Sequence, residues 1–184
     1  LVADKPLVMG IINATPDSFY AGSRQASVDE ILQQAETMIT QGADILDIGG
    51  QSSRPGSTPV GEDEELTRVI GGIAAILDRF PEAFVSIDTW YSKVAKEAVA
   101  AGACIVNDIS AGSMDENMFA TVASLRVPYV LMHMHGTPQT MQQAPHYENV
   151  TREVLDFLIV KVDFLKKAGI TDIIIDPGFG FGKT

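Results

Sequence analysis

The chain has 184 residues, 46% of them hydrophobic, and a formal net charge of −11. That length suits one good core and is short for two domains, and the composition is that of a folded chain rather than a disordered one. The negative balance argues against a nucleic-acid or anionic-membrane surface, both of which need a basic patch, while leaving room for a small anionic ligand held by a few local donors.

The single cysteine, Cys104, excludes an internal disulfide framework. Set in an apolar run, it reads as a small buried core residue of a cytosolic protein. No apolar run approaches membrane-spanning length and no charged-then-apolar leader opens the sequence, so a cytoplasmic location is expected. A start at Leu1 and a stop inside a glycine-rich loop give the look of a piece of something longer, with residues 1–184 forming one domain.

Leu7 to Ile12 is a continuous apolar run, expected as a strand buried on both faces. The polar, proline-bearing loop Asn13-Ala14-Thr15-Pro16-Asp17-Ser18-Phe19 follows. Ser27 and Glu30 form a capping box. Val28, Ile31, Leu32, Ala35, Met38 and Ile39 then recur at helical spacing until Gly42 stops the helix. Ala43 to Ile48 predicts a second strand, leading into the loop Gly49-Gly50-Gln51-Ser52-Ser53-Arg54-Pro55-Gly56. Glu62 to Glu65 open the next helix, where acids suit the dipole. Gly71 and Gly72 lie inside it at a cost of roughly 1 kcal/mol each.

Phe84 to Ile87 predicts a third strand, delivering Asp88-Thr89, and a helix from about Ser92 to Ala101 follows it. Ala103 to Val106 delivers Asn107-Asp108, and a helix is expected near Asp115 to Leu125. Tyr129 to Met134 predicts a fifth strand. After a long loop, Asn149 caps the longest helix, and Asp172 to Ile175 predicts a sixth strand. Three helix-to-strand joints look alike: Gly42-Ala43, Gly102-Ala103 and Gly169-Ile170.

Alternating strand and helix is the pattern of parallel α/β. Asn13, the Ser53-Arg54 loop, Asp88, Asn107, His133 and Asp176 fall at the carboxyl ends of successive strands. An open doubly wound sheet specialises two or three strand ends at one crevice. Six in a row suit a closed ring with one rim, so a (β/α)8 TIM barrel, present through about its sixth strand, is expected.

Asp88, Asn107 and Asp176 are acceptor-rich groups suited to a flat heterocycle with adjacent amino and ring N–H donors. Metal binding is an alternative, since Asp and Asn are hard oxygen ligands, and otherwise each would cap a turn. His133 and His135 share a face and could hold zinc, though packing beside Met132 and Met134 is the plainer role. Arg54 could steady a carboxylate or phosphate from a mobile rim loop, or form a surface ion pair. A phosphate-binding P-loop ending at Lys183-Thr184 fails on spacing, because the glycine it needs at position 177 is Pro177.

In order and spacing, Asn13 to Phe19, Asp47 to Gly56, Ser86 to Thr89, Asn107-Asp108, Leu131 to Met134 and Asp176 to Lys183 resemble the dihydropteroate synthase family of pterin-binding barrels. The resemblance runs from Val8 to Lys183. It implies a Mg²⁺-dependent transferase of folate biosynthesis. Such an enzyme joins 6-hydroxymethyl-7,8-dihydropterin diphosphate to 4-aminobenzoate, giving 7,8-dihydropteroate and pyrophosphate. By resemblance, Asp88, Asn107 and Asp176 read the pterin, with Met132 and Phe181 lining its pocket. Asn13 holds Mg²⁺ with the diphosphate. Phe19, Ser53, Arg54 and Pro55 form the aminobenzoate cover, where sulfonamides compete.

The chain departs from the family pattern at Gln51 (commonly glutamate), Ser53 (commonly threonine) and Ala21-Gly22 (where an aspartate is common). The later Ser-Arg-Lys and Arg-x-His segments do not occur within it, so this stretch alone is expected to carry the pterin half of a site and to be inactive. A pterin- or folate-binding module of a methyl-transfer system is the alternative. It has no need of the Thr15 to Phe19 and Ser53 to Pro55 loops. Oligomeric state is not legible, and a homodimer is one possibility.

Overall fold

The computed structural model describes residues 4–14, 24–51, 59–138, 140–141 and 145–183, without the side chains of 24–27. Its elements alternate: β1 (Met9–Asn13), α1 (Arg24–Thr40), β2 (Ile45–Gly49), α2 (Glu62–Arg79), β3 (Phe84–Asp88), α3 (Ser92–Ala100), β4 (Ile105–Asp108), α4 (Met118–Leu125), β5 (Tyr129–Met132), α5 (Val150–Lys167) and β6 (Ile173–Asp176). The strands form one sheet in sequence order, every neighbouring pair parallel. This is the architecture of part of a (β/α)8 barrel, as the strand-end pattern predicts.

The helices cover one face of the sheet. Ile12, Leu46, Ile48, Val85, Ile87, Val106, Tyr129 and Leu131 meet Ile31, Val69, Ile73, Ile76 and Val94 in the main core. In α2 the buried positions are Glu65, Val69, Gly72, Ile73 and Ile76, one stripe at helical spacing. Ile73 and Ile76 are fully buried, each worth roughly 1.5–3 kcal/mol. The helix runs unbroken through Gly71 and Gly72; a Cβ at Gly72 would lie 2.9 Å from Ile31 Cδ1, so the missing side chain lets α1 approach.

The three similar joints are one motif. Gly42, Gly102 and Gly169 have φ of 98°, 113° and 91°, the left-handed conformation that glycine tolerates best. Ala43 N–H donates to Met38 O, Ala103 to Ala98 O and Ile170 to Leu165 O, the long bond of a Schellman cap. At the other end of α5, Asn149 Oδ1 accepts from Arg152 N at 3.0 Å and Glu153 Oε1 accepts from Asn149 N at 2.9 Å, a reciprocal box.

Several boundaries differ from the sequence expectation. Helix α1 begins at Arg24, so Ser27 lies inside it and is not its cap. Helix α4 begins at Met118; Asp115 instead accepts from Ser92 N and Asn117 N, tying the α3 start to the turn before α4. Strand β5 ends at Met132, before His133. Strand β1 is not buried on both faces: Ile11 is 59% exposed on the face opposite the helices. Cys104 is half-buried rather than buried, with its thiol pushed up by burial.

Candidate functional site

Residues paired in register across parallel strands point to the same face. Asn13, Gly49, Asp88, Asn107 and Val130 form one such row. Val130 pairs with Ile174, so Met132 and its partner Asp176 stand two residues further on, on the same face. The intervening residues Ile12, Ile48, Ile87, Val106 and Leu131 belong to the helix-side core. Asn13, Asp88, Asn107, Met132 and Asp176 therefore share the inner face, at the carboxyl ends of their strands. One layer beneath lies the row Ile11, Asp47, Ser86 and Ile105.

An apolar wall adjoins the polar row. Trp90, Ile109 and Met132 are buried together, with Phe181 packed against them. The structure places Met132 and Phe181 in one cluster, together with Trp90 and Ile109, which the sequence reading did not single out. Each lies two residues beyond a rim residue, Asp88 or Asn107, and that spacing could have flagged them. Phe19, Ser53, Arg54 and Pro55 fall outside the described residues.

Among the described residues the site is acidic and short of compensating charge. Asp88 is held well above the usual carboxylate range, first by burial and then by the negative charges of Asp47, Glu65 and Asp108. Burial also raises Asp47, Glu65 and Asp108. Asp108 faces the helices and is fully served. It accepts from Ser110 N (2.7 Å), Ser110 Oγ (2.6 Å), Gly112 N (2.8 Å) and Tyr129 Oη–H (2.8 Å), which fixes the turn after β4. Asp47 is 2% exposed and accepts from Asn107 Nδ2 at 2.8 Å through Oδ2, whereas its Oδ1 and the neighbouring Ser86 Oγ have no hydrogen-bond partner among the described residues. Ser86 stands close enough to ease the Asp47 charge without reaching hydrogen-bond geometry.

The base of the second rim loop is clamped. Gln51 Nε2 donates to Val60 O at 2.9 Å and to Glu65 Oε2, while its Oε1 accepts from Val60 N at 3.1 Å. Tyr91 Oη–H donates to the same Val60 carbonyl at 3.0 Å. Glu65, one of the four acids in the first turn of α2, is fully buried.

Asp176 Oδ1 accepts from Gly178 N at 2.7 Å, so one oxygen caps its own turn and the other is left for the inner face. Lys183 Nζ donates to His133 O at 2.9 Å and Phe181 O at 3.0 Å. Its ammonium closes the glycine loop onto the end of β5, in keeping with rejection of a P-loop. Gly178 has φ +67°, and a Cβ there would lie 2.1 Å from His133 O. The close approach this glycine serves is to the neighbouring backbone.

His133 is buried edge-on against Phe157 at 4.9 Å between centroids, on the helix side, and His135 meets Tyr147 at 5.6 Å. Burial and the Lys183 ammonium hold the His133 imidazole below its usual range. Among the described residues no three His, Cys, Asp or Glu are grouped to hold a metal. A cavity of about 290 Å³ between α5 and the glycine loop is lined by Val154, Leu158, Pro177 and Phe179. It lies on the helix side and almost wholly lacks polar lining, so it is not the rim site. No helix among the described residues is long and apolar enough to cross a membrane.

Fold and site together define a parallel α/β protein of barrel topology that gathers polar side chains at the carboxyl ends of its strands. Residues 9–184 match the family described as pterin binding enzyme, and the chain belongs to that family. It is 44% identical over 180 residues to the dihydropteroate synthase of Escherichia coli K12, covering 97% of this chain and 63% of that protein. A Yersinia pestis dihydropteroate synthase structure with a sulfonamide drug complex superposes with TM-score 0.91 at 39% identity, covering 100% of this chain and 67% of that one. A Xanthomonas albilineans dihydropteroate synthase in complex with 7,8-dihydropteroate gives TM-score 0.85 at 41% identity, covering 100% and 64%. The chain spans from 25% to 65% of the length of the curated relatives it matches.

Proposed function

We propose that the protein is a dihydropteroate synthase, a transferase of folate biosynthesis. It would join 6-hydroxymethyl-7,8-dihydropterin diphosphate to 4-aminobenzoate, releasing pyrophosphate and forming 7,8-dihydropteroate. The observation that carries this reading is the shared inner face of Asp88, Asn107 and Asp176 beside the wall of Trp90, Met132 and Phe181. The carboxylates and amide take the amino and ring N–H donors of a pterin, and the apolar side chains cover its flat face.

In the reaction the bond from the pterin methylene to the diphosphate oxygen breaks. Its electron pair leaves with pyrophosphate, and the aminobenzoate nitrogen donates its pair to the resulting cation and then loses a proton. No side-chain nucleophile is required. The acceptor oxygens of Asp88 and Asp47 on the inner face would support the developing positive charge on the pterin. Asn13, exposed at the end of β1 on the inner face, offers one hard amide oxygen. That suits Mg²⁺, which keeps several waters and binds mainly through substrate phosphates. When bound there, Mg²⁺ would neutralise charge on the leaving pyrophosphate. Phe19, Ser53, Arg54 and Pro55 are assigned to the aminobenzoate cover, where a sulfonamide would compete. The Gln51 clamp anchors one side of that loop.

The test is pyrophosphate release by the full-length protein with either substrate, both, and both without Mg²⁺, in wild type and Asp176→Asn. Release only with both substrates and Mg²⁺, and loss of turnover and pterin affinity in the variant, are expected. Unchanged turnover and affinity in Asp176→Asn would overturn the assignment.

A further inference from the structure

Asp47 is a thinly served acid among the described residues. It is 2% exposed, lies one layer below the rim, and makes one hydrogen bond, from Asn107 Nδ2 at 2.8 Å. Its second oxygen is buried without a partner among the described residues. A buried carboxylate served so thinly is costly, and an apolar residue at this position of a strand would avoid the cost. Packing therefore does not explain it. What it does affect is Asn107.

An amide side chain can sit either way round with nearly the same shape, but its two ends have opposite hydrogen-bonding character. Facing a carboxylate, only the NH₂ end is acceptable. With one N–H given to Asp47, Asn107 offers the rim its Oδ1 as an acceptor and a single remaining N–H, in one fixed order. Asp176, with one oxygen taken by Gly178 N–H, keeps a single acceptor, and the Asp88 carboxyl can carry its proton on either oxygen, so neither fixes such an order. Asn107 is therefore the group able to distinguish one edge of a heterocycle from its mirror arrangement.

We propose that Asp47 is a positioning residue that, without touching the ligand, fixes the polarity with which Asn107 reads the pterin ring. This rests on the pterin reading given above. An Asp47→Asn variant keeps the shape and removes a buried charge, so it should fold. It can either donate or accept, which frees Asn107 to turn over. Asn107→Asp alone sets two carboxylates against each other. The double variant exchanges amide and carboxylate in place, restoring one donor–acceptor pair below the rim and an acceptor above it.

The experiment is calorimetric titration of the full-length protein with 6-hydroxymethylpterin, with thermal melts as a check of folding. Asp47→Asn should weaken binding about 10-fold, the cost of a misdirected polar contact. It should raise the KM for the pterin diphosphate and leave that for 4-aminobenzoate unchanged, a split that general loosening would not produce. The double variant should bind more tightly than either single variant. Folded Asp47→Asn with unchanged pterin affinity, or a double variant whose losses simply add, would overturn the proposal. If wild type itself fails to bind 6-hydroxymethylpterin, the pterin reading falls and this inference with it.

Discussion

Replacing Asp88 by asparagine should make the protein more stable while weakening its hold on a pterin. Asparagine is nearly isosteric and carries no charge, so the change removes the group that burial, Asp47, Glu65 and Asp108 all disfavour. Relief of one such site is worth roughly 1–2 kcal/mol. At about 2–4 °C per kcal/mol for a chain of this size, Tm should rise by about 2–8 °C near neutral pH. The sign with pH follows from proton linkage. In wild type the folded state holds the Asp88 proton more tightly than the unfolded state, whose carboxyl titrates near 3.8. Wild-type stability from this group is therefore full below that value and is lost as pH rises through the raised folded-state titration. The advantage of the variant should be greatest under alkaline conditions and vanish towards about pH 4. Calorimetric melts of both proteins across that range, with pterin titration at each end, make the measurement. A variant that is less stable throughout, or whose advantage is the same at every pH, would refute the electrostatic account of the site.

Tyr129→Phe removes one of the four donors to buried Asp108. It should cost about 1.5–3 kcal/mol in denaturant unfolding, with pterin affinity little changed because Asp108 faces the helices. An unfolding midpoint equal to wild type would show that the three remaining donors suffice. Gly178→Ala drives a Cβ into the His133 carbonyl at a positive φ. It should displace the Asp176 turn and weaken 6-hydroxymethylpterin binding by at least about 10-fold, a shift of about 1.4 kcal/mol. Unaltered binding would mean that the loop yields without moving Asp176.

Sequence reasoning succeeded where the determining physics is local. Asn149 and Glu153 cap α5 within one turn of chain, and the glycines at the three joints stop their helices through their own backbone conformations. The rim residues Asp88, Asn107 and Asp176 stood out because each ends an apolar run in a polar group. Asp47 did not, because it interrupts such a run instead of ending it. Its role depends on Asn107, sixty positions away. Glu65 was hidden for another reason: four successive acids open α2, and nothing within them tells which one turns towards the core. Ser27 shows the reverse error. Its spacing to Glu30 satisfies a local rule, but α1 starts a turn earlier, at Arg24.

The neighbour-to-neighbour strand order also bears on how the protein is made. Among the described residues each of the six strands pairs with its neighbours in sequence, and each cap at Gly42, Gly102 and Gly169 closes within a few residues. Across these six strands a chain leaving the ribosome can therefore dock one strand–helix unit at a time. The site does not mature at the same pace. Asn13, Asp88 and Asn107 can be in place while β6 is still being synthesised, but Asp176 arrives with that strand.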